Sequence, residues 1–138
     1  MPTIFLAEDN TADVELFRMA LEEAGLECEL LVFGDGRAIM DRIHSLHHSS
    51  EIRPPDLIIL DLNMPKSDGF EVLETIRQTP LLAEVPLAVL SSSFSHRDRE
   101  KLAAYNVRQF ILKPADLEEY LAIGGTVRDL LNRRDRDL

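Results

Sequence analysis

The sequence predicts an α/β fold: a doubly wound parallel sheet of five strands with five helices on its two faces. Two observations predict it. Short apolar runs alternate from end to end with segments of helical periodicity, and several of those runs stop at a charged or hydroxyl residue. Strands that are apolar on both faces need helices above and below, and right-handed crossovers between parallel strands supply them. At 138 residues, 45% hydrophobic and 29% charged, the chain is the size of one compact domain with a sizeable core. It reads as one domain over 1–138, with no internal repeat, low-complexity segment or linker.

"TIFLAED" (3–9) is a short strand ending in acids. "NTADVELFRMALEEAG" (10–25) is helical: Asn10 or Thr11 caps it, Val14, Phe17 and Leu21 recur at helical spacing, and Gly25 stops it. "CELLVF" (28–33) is the second strand, followed by the turn "GDG" and a helix near 36–48. Pro54 and Pro55 introduce the third strand, "DLIIL" (56–60). A helix follows over 68–78 with Val72, Leu73 and Ile76 inward. "VPLAVLS" (85–91) is the fourth strand, with Pro86 near its start, where a missing donor is tolerable. A short charged helix covers 96–104, "RQFILK" (108–113) is the fifth strand, and the last helix spans roughly 115–132.

Two segments strain this pattern. "HSLHHSSEIRPP" (44–55) is long for a helix-to-strand connection and reads as a mobile surface loop. Gly124 and Gly125 lie inside the last helix at a cost of roughly 1 kcal/mol each relative to alanine, marking a kink, a split or a close backbone approach.

Charge and cysteine usage narrow the class. The net charge of −10 argues against nucleic acid as a general partner. Residues 1–36 carry nine acids against the single base Arg18. Cys28 has no cysteine to pair with and sits in an apolar stretch, which suits a packed thiol in a reducing cytoplasm. No basic segment leads into an apolar run at the N-terminus, and no apolar run approaches the ~20 residues that cross a bilayer. The expected location is cytoplasmic, away from membranes.

The chemistry gathers at strand ends. Ligands of open parallel sheets bind outside the carboxyl ends of the strands, where strand order reverses. There the first strand ends in Glu8 and Asp9, the third in Asp61, the fourth in Ser91 with Ser92 and Ser93, and the fifth in Lys113. Three clustered carboxylates repel strongly, and one lysine does not neutralise them. A hard divalent cation does, and Mg²⁺ suits carboxylates, carbonyls and waters, with Mn²⁺ as a substitute. Ser91 as a donor and Lys113 as a fixed positive charge suit phosphoryl oxygens. The set reads as a phosphoryl-transfer site whose nucleophile is itself a carboxylate, with Asp61 the central candidate. Singly, each residue has a plainer reading as a cap, turn or surface charge; the conjunction is the signal.

With these residues in place, the sequence closely resembles the response-regulator receiver domain of two-component signalling over essentially its whole length. "FLAEDN", "DLIILDLNMPKSDG", "VPLAVLSSS" and "FILKPAD" carry the resemblance. It implies a flavodoxin-like fold with strand order 2-1-3-4-5, and no output domain is expected beside it. It further implies that Asp61 accepts a phosphoryl group from a histidine kinase. Asp9 would bind Mg²⁺ directly with Glu8 assisting, and the Asn63 backbone carbonyl would complete the protein ligands. Ser91 stands at the switch serine/threonine, Lys113 at the invariant lysine and Phe110 at the switch aromatic. The Lys113–Pro114 bond is expected to be cis. On phosphorylation Ser91 would move toward the new charge and Phe110 would turn into the space it leaves, reshaping the surface of the fourth helix, fifth strand and last helix.

The long loop before the third strand, "EDNTADVELFRMAL" and "SSSFSHRD" look similar to small regulators paired with phytochrome-type histidine kinases. Those regulators often dimerise through the last helix and neighbouring surfaces, where Leu121, Val127, Leu130 and Leu131 are candidates, although core packing is the simpler role for most of them. The expected partners are therefore a sensor kinase and a second copy of the chain. Catalysis is expected only of the protein's own phosphorylation and dephosphorylation.

Other readings are weaker. An aspartyl-nucleophile phosphatase carries a second acid two residues after the nucleophile, and Asn63 stands there instead. A phosphorylation-independent pseudo-receiver would have lost Asp61, Asp9 or Lys113, and all are present. His44, His47 and His48 have metal-compatible spacing but no acid or thiol grouped with them, so a solvated helix end is the reading. "HRDREK" (96–101) is the exposed face of a short helix, or part of a partner surface.

Overall fold

A computed structural model of the chain describes residues 1–46, 53–64 and 68–136. Residues 47–52 of the 44–55 loop, His47 and His48 among them, and Pro65–Ser67 of the loop after Asp61 lie outside the described residues. The strands are β1 (Thr3–Ala7), β2 (Glu29–Phe33), β3 (Leu57–Asp61), β4 (Leu87–Ser91) and β5 (Gln109–Leu112). They form one parallel sheet in the order β2-β1-β3-β4-β5. The order expected from the resemblance holds, and the reversal lies between β1 and β3.

The helices are α1 (Thr11–Glu23), α2 (Gly36–Leu46), α3 (Gly69–Gln78), α4 (His96–Ala103), α5 (Leu117–Leu121) and α6 (Ile123–Arg136). Two apolar layers form because successive side chains of a strand point to opposite faces. One face packs Phe5, Ile58, Leu60 and Val89 against α2, α3 and Leu102 of α4. The other packs Ile4, Leu6, Ile59 and Leu90 against Phe17 and Leu21 of α1 and against Tyr120, Val127 and Leu130 of α5 and α6. β3 and β4 are buried at every position, as their unbroken apolar runs require.

Local chemistry fixes the helix ends. Asn10, not Thr11, caps α1, its Oδ1 accepting from the N–H groups of Ala12 (2.9 Å) and Asp13 (3.2 Å). Gly25 stops α1 with φ +70°, and the N–H of Leu26 reaches Leu21 O at 3.0 Å while that of Gly25 reaches Glu22 O at 2.9 Å. This paired closure needs a left-handed residue, which glycine supplies without strain. Ser95 and Asp98 form a reciprocal capping box on α4, whose only buried residue is Leu102. The charged run 96–101 therefore lies largely in solvent.

The last helix is split, as the glycine pair allows, and it runs past residue 132 to Arg136. α5 and α6 meet at Ala122. Gly124 also permits a close approach: a Cβ on it would clash with the backbone oxygen of Ala20 in α1. Arg128 donates to Ala24 O at the end of the same helix. Val127, Leu130 and Leu131 of α6 are buried in the core, and only Leu121 of the four dimer candidates is partly exposed. The first three are thus occupied by packing and do not form a free surface.

On the far side, the Arg77 guanidinium stitches two connections together. It donates to the carbonyl oxygens of Tyr105 (2.7 Å), Val85 (3.0 Å), Ala83 (3.1 Å), Asn106 (3.2 Å) and Leu82 (3.3 Å). These bonds tie the end of α3 to the connections that lead into β4 and β5.

Candidate functional site

The sheet ends where the charged residues begin. The ladder of β1 stops at Ala7, so Glu8 and Asp9 lie just beyond it rather than within the strand, although the Glu8 N–H still reaches Phe33 O at 3.0 Å. Asp61 is the last residue of β3, paired beside Leu90, and Ser91 is the last of β4. Lys113 follows β5 directly, with its N–H on Ser91 O at 2.8 Å. Parallel strands of matched length therefore deliver Glu8, Asp61, Ser91 and Lys113 to one rim. Glu8, Asp61 and Ser91 are each 2% exposed, so these polar groups are held inside the fold.

The Lys113 ammonium is the hub. Its Nζ lies 2.6 Å from Glu8 Oε1, 2.9 Å from Asp61 Oδ2 and 3.1 Å from Asp13 Oδ2. Burial works against the lysine's charge, but the bonds to Glu8 and Asp61 outweigh it and raise its pKa. Glu8 is pushed up from 4.5 to about 7, by burial first, with Lys113 opposing and Asp61 adding to the rise. Despite the short ammonium contact, Glu8 Oε1 is buried without a hydrogen bond of good geometry. The contact is an ion pair with poor alignment, and it leaves acceptor capacity on that oxygen.

A cation fits this vacancy in bonding. Glu8, Asp9 and Asp61 each offer a carboxylate oxygen, all within 4.8 Å of one another, with Asp9 exposed on the open side. Three clustered acids, of which only Glu8 and Asp61 pair with the lysine, and an under-bonded buried oxygen among them match the donor set of a hard divalent ion.

Ser91 and Asn63 form the adjoining wall. The Asn63 N–H donates to Asp61 Oδ1 at 2.9 Å, and its Nδ2 donates to Ser91 Oγ at 3.0 Å. The Ser91 hydroxyl in turn donates to Ser93 O at 2.6 Å. Phe110, half-buried, meets Phe94 edge to face at 5.5 Å, and the Arg99 guanidinium lies over both rings at 5.2 and 5.5 Å.

One expectation is corrected here. No peptide bond among the described residues is cis, so Lys113–Pro114 is trans. The trans isomer is intrinsically favoured by about 0.5–1 kcal/mol, and the lysine reaches all three carboxylates with it.

Sequence reasoning missed two members of this network. Asp13 contacts Lys113 from the first turn of α1, and the buried Tyr120 of α5 donates its hydroxyl to Asp13 O at 3.2 Å. The tyrosine's pKa is raised, by burial first and then by Asp13. The readable signal was position: Asp13 heads the same helical stripe as the buried Phe17, Ala20 and Leu21. Elsewhere, Cys28 is a half-buried thiol packed on the second core layer, and burial pushes its pKa up, which disfavours the reactive thiolate.

With a five-stranded sheet in this order and an acid–lysine cluster at its carboxyl rim, residues 4–123 match the response regulator receiver domain family, and the chain belongs to it. Among its relatives is the response regulator Rcp1 of Synechocystis sp., 36% identical over 84% of this chain and 79% of that protein. In three dimensions the chain is similar to the phosphorylated cyanobacterial phytochrome response regulator RcpA, with a TM-score of 0.83 and 35% identity over 94% of this chain and 93% of that one. It is similar also to the Mn²⁺-bound form of Rcp1, with a TM-score of 0.81 and 31% identity over the same shares. Among the described residues no helix is long and apolar enough to cross a membrane.

Proposed function

We propose that this receiver domain is a phosphorylation switch in which Asp61 takes a phosphoryl group from the phosphohistidine of a sensor kinase. The observation that carries the reading is the Lys113 ammonium, held against Asp61 at 2.9 Å and Glu8 at 2.6 Å beside the acidic cluster. Asp61 attacks phosphorus through a carboxylate oxygen, the phosphorus–nitrogen bond breaks, and the histidine leaves with the bond's electron pair. Lys113 offsets charge on the transferring group, and the Asn63 N–H holds Asp61 Oδ1 in a fixed orientation.

Mg²⁺ is the cation we assign, and Asp9, Glu8, Asp61 and the Asn63 carbonyl would hold it. When bound it neutralises acidic and phosphoryl oxygens. Ser91 is the switch hydroxyl, and its present bonds to Asn63 and Ser93 are what it exchanges for a phosphoryl oxygen. Phe110 follows into the space released and carries the change to the exposed surface of α4 and β5.

Similarity to the phytochrome response regulator supports a phytochrome-type kinase as the upstream partner. Self-association through the last helix and its neighbouring surface belongs to the same proposal, and Leu112 and Leu117, 57% and 50% exposed, offer apolar contact there. The protein acts by contact with proteins in the cytoplasm and turns over no substrate but its own phosphoryl group. Incubation with Mg²⁺ and a small phosphodonor adds one phosphoryl group by intact mass, and Asp61→Asn removes the addition. A wild-type protein that gains no mass, or a variant that still gains it, contradicts the reading.

A further inference from the structure

We propose that Asp13 is a positioning residue for phosphoryl transfer, tethering the Lys113 ammonium at the site while Asp61 reacts. The inference rests on the function proposed above and extends it to a residue outside the acidic cluster.

An ammonium has three N–H donors, and three carboxylates surround this one: Glu8 at 2.6 Å, Asp61 at 2.9 Å and Asp13 at 3.1 Å. Asp13 and Asp61 each accept a hydrogen bond from it while Glu8 pairs by charge, so an incoming phosphoryl oxygen competes with carboxylates already drawn around the ammonium. Asp61 changes in the reaction, because its attacking oxygen becomes part of a mixed anhydride and the residue loses its full charge. Glu8 shares its oxygens with the cation-binding set. Asp13 alone is outside that set, so its bond to Nζ persists through the cycle.

The fold holds Asp13 firmly. It lies in the first turn of α1, where the helix dipole favours a negative charge, and its N–H is fixed by the Asn10 cap at 3.2 Å. Its carbonyl accepts the Tyr120 hydroxyl at 3.2 Å, which pins α1 to α5 at this point. The Asp13 and Lys113 side chains are only 22% and 16% exposed, so their pairing escapes much of the screening that makes surface ion pairs weak. Anchored on one side, Nζ pivots from Asp61 Oδ2 to the incoming phosphoryl oxygen and does not swing into solvent.

Asp13→Asn keeps the shape but removes the charge, and Asp13→Glu keeps the charge. Two readouts are needed: the rate of Asp61 phosphorylation at saturating phosphoramidate with Mg²⁺, and solvent exchange of the Lys113 ammonium protons by ¹H–¹⁵N NMR in metal-free protein. Replacing a charge-assisted bond by a neutral one in Asp13→Asn slows phosphorylation about fivefold and speeds ammonium exchange, and Asp13→Glu recovers both. An Asn variant with wild-type rate and exchange overturns the assignment, as does a Glu variant as impaired as the Asn one. If the wild type itself takes no phosphoryl group, the proposed function falls and this inference with it. If the wild type is phosphorylated and Asp13→Asn matches it, only this inference falls.

Discussion

Glu8 shows how burial sets the chemistry of a single side chain. Its carboxyl is 2% exposed and titrates near 7 in the metal-free fold rather than at 4.5, burial being the largest cause. Between those values the folded protein holds a proton that the unfolded chain has already released. The group's contribution to stability is thus fully present below 4.5 and lost as pH rises through about 7. In metal-free protein, the urea midpoint of wild type relative to Glu8→Gln should fall between pH 5 and pH 8. A difference that rises over this range contradicts the assignment. Glu8, Asp61 and Lys113 were legible in the sequence because each follows an apolar strand at a predictable end. Asp13 was not, because its partner is 100 residues away and only the packing of α1 on the sheet brings them together.

At the scale of elements, two adjacent glycines do opposite things. Gly124 faces α1, where an added methyl group would collide with Ala20 O and the Ala24 side chain, both parts of a packed helix. Gly125 meets nothing within 4 Å of the same position. Gly124→Ala should therefore destabilise the protein by about 1–3 kcal/mol through overpacking. Gly125→Ala should be neutral or stabilising by up to about 1 kcal/mol through helix propensity. Urea midpoints of the two variants check this, and equal effects of one sign contradict it. The sequence marked the pair as a kink, a split or a close approach, and could not choose. The structure has both a break at Ala122 and a close approach at Gly124, because the second depends on which face of α6 meets α1. The strand and helix order was legible throughout, since apolar runs and capping residues such as Asn10, Ser95 and Gly25 are local signals.

Across the whole molecule, the proposed switch joins the two halves of the sheet. Lys113 from the edge strand's end reaches across Ser91 and Asp61 to Glu8 beyond β1, so four strands meet in one set of bonds. Ser91 and Asn63 link the same rim to the loop before α4, where Phe94 meets Phe110 beneath the guanidinium of Arg99 from α4. A change of charge at Asp61 thus has a short bonded route to the outer surface. The proposed switch depends on Asp61 being the residue that is phosphorylated. The direct measurement is reductive trapping of the acyl phosphate after reaction with phosphoramidate and Mg²⁺, followed by peptide mapping. The account predicts a single reduced aspartate, at Asp61, in the peptide containing residues 57–64. Modification at Asp9, Asp13 or Glu8 instead, or no trapped acyl phosphate at all, would contradict it.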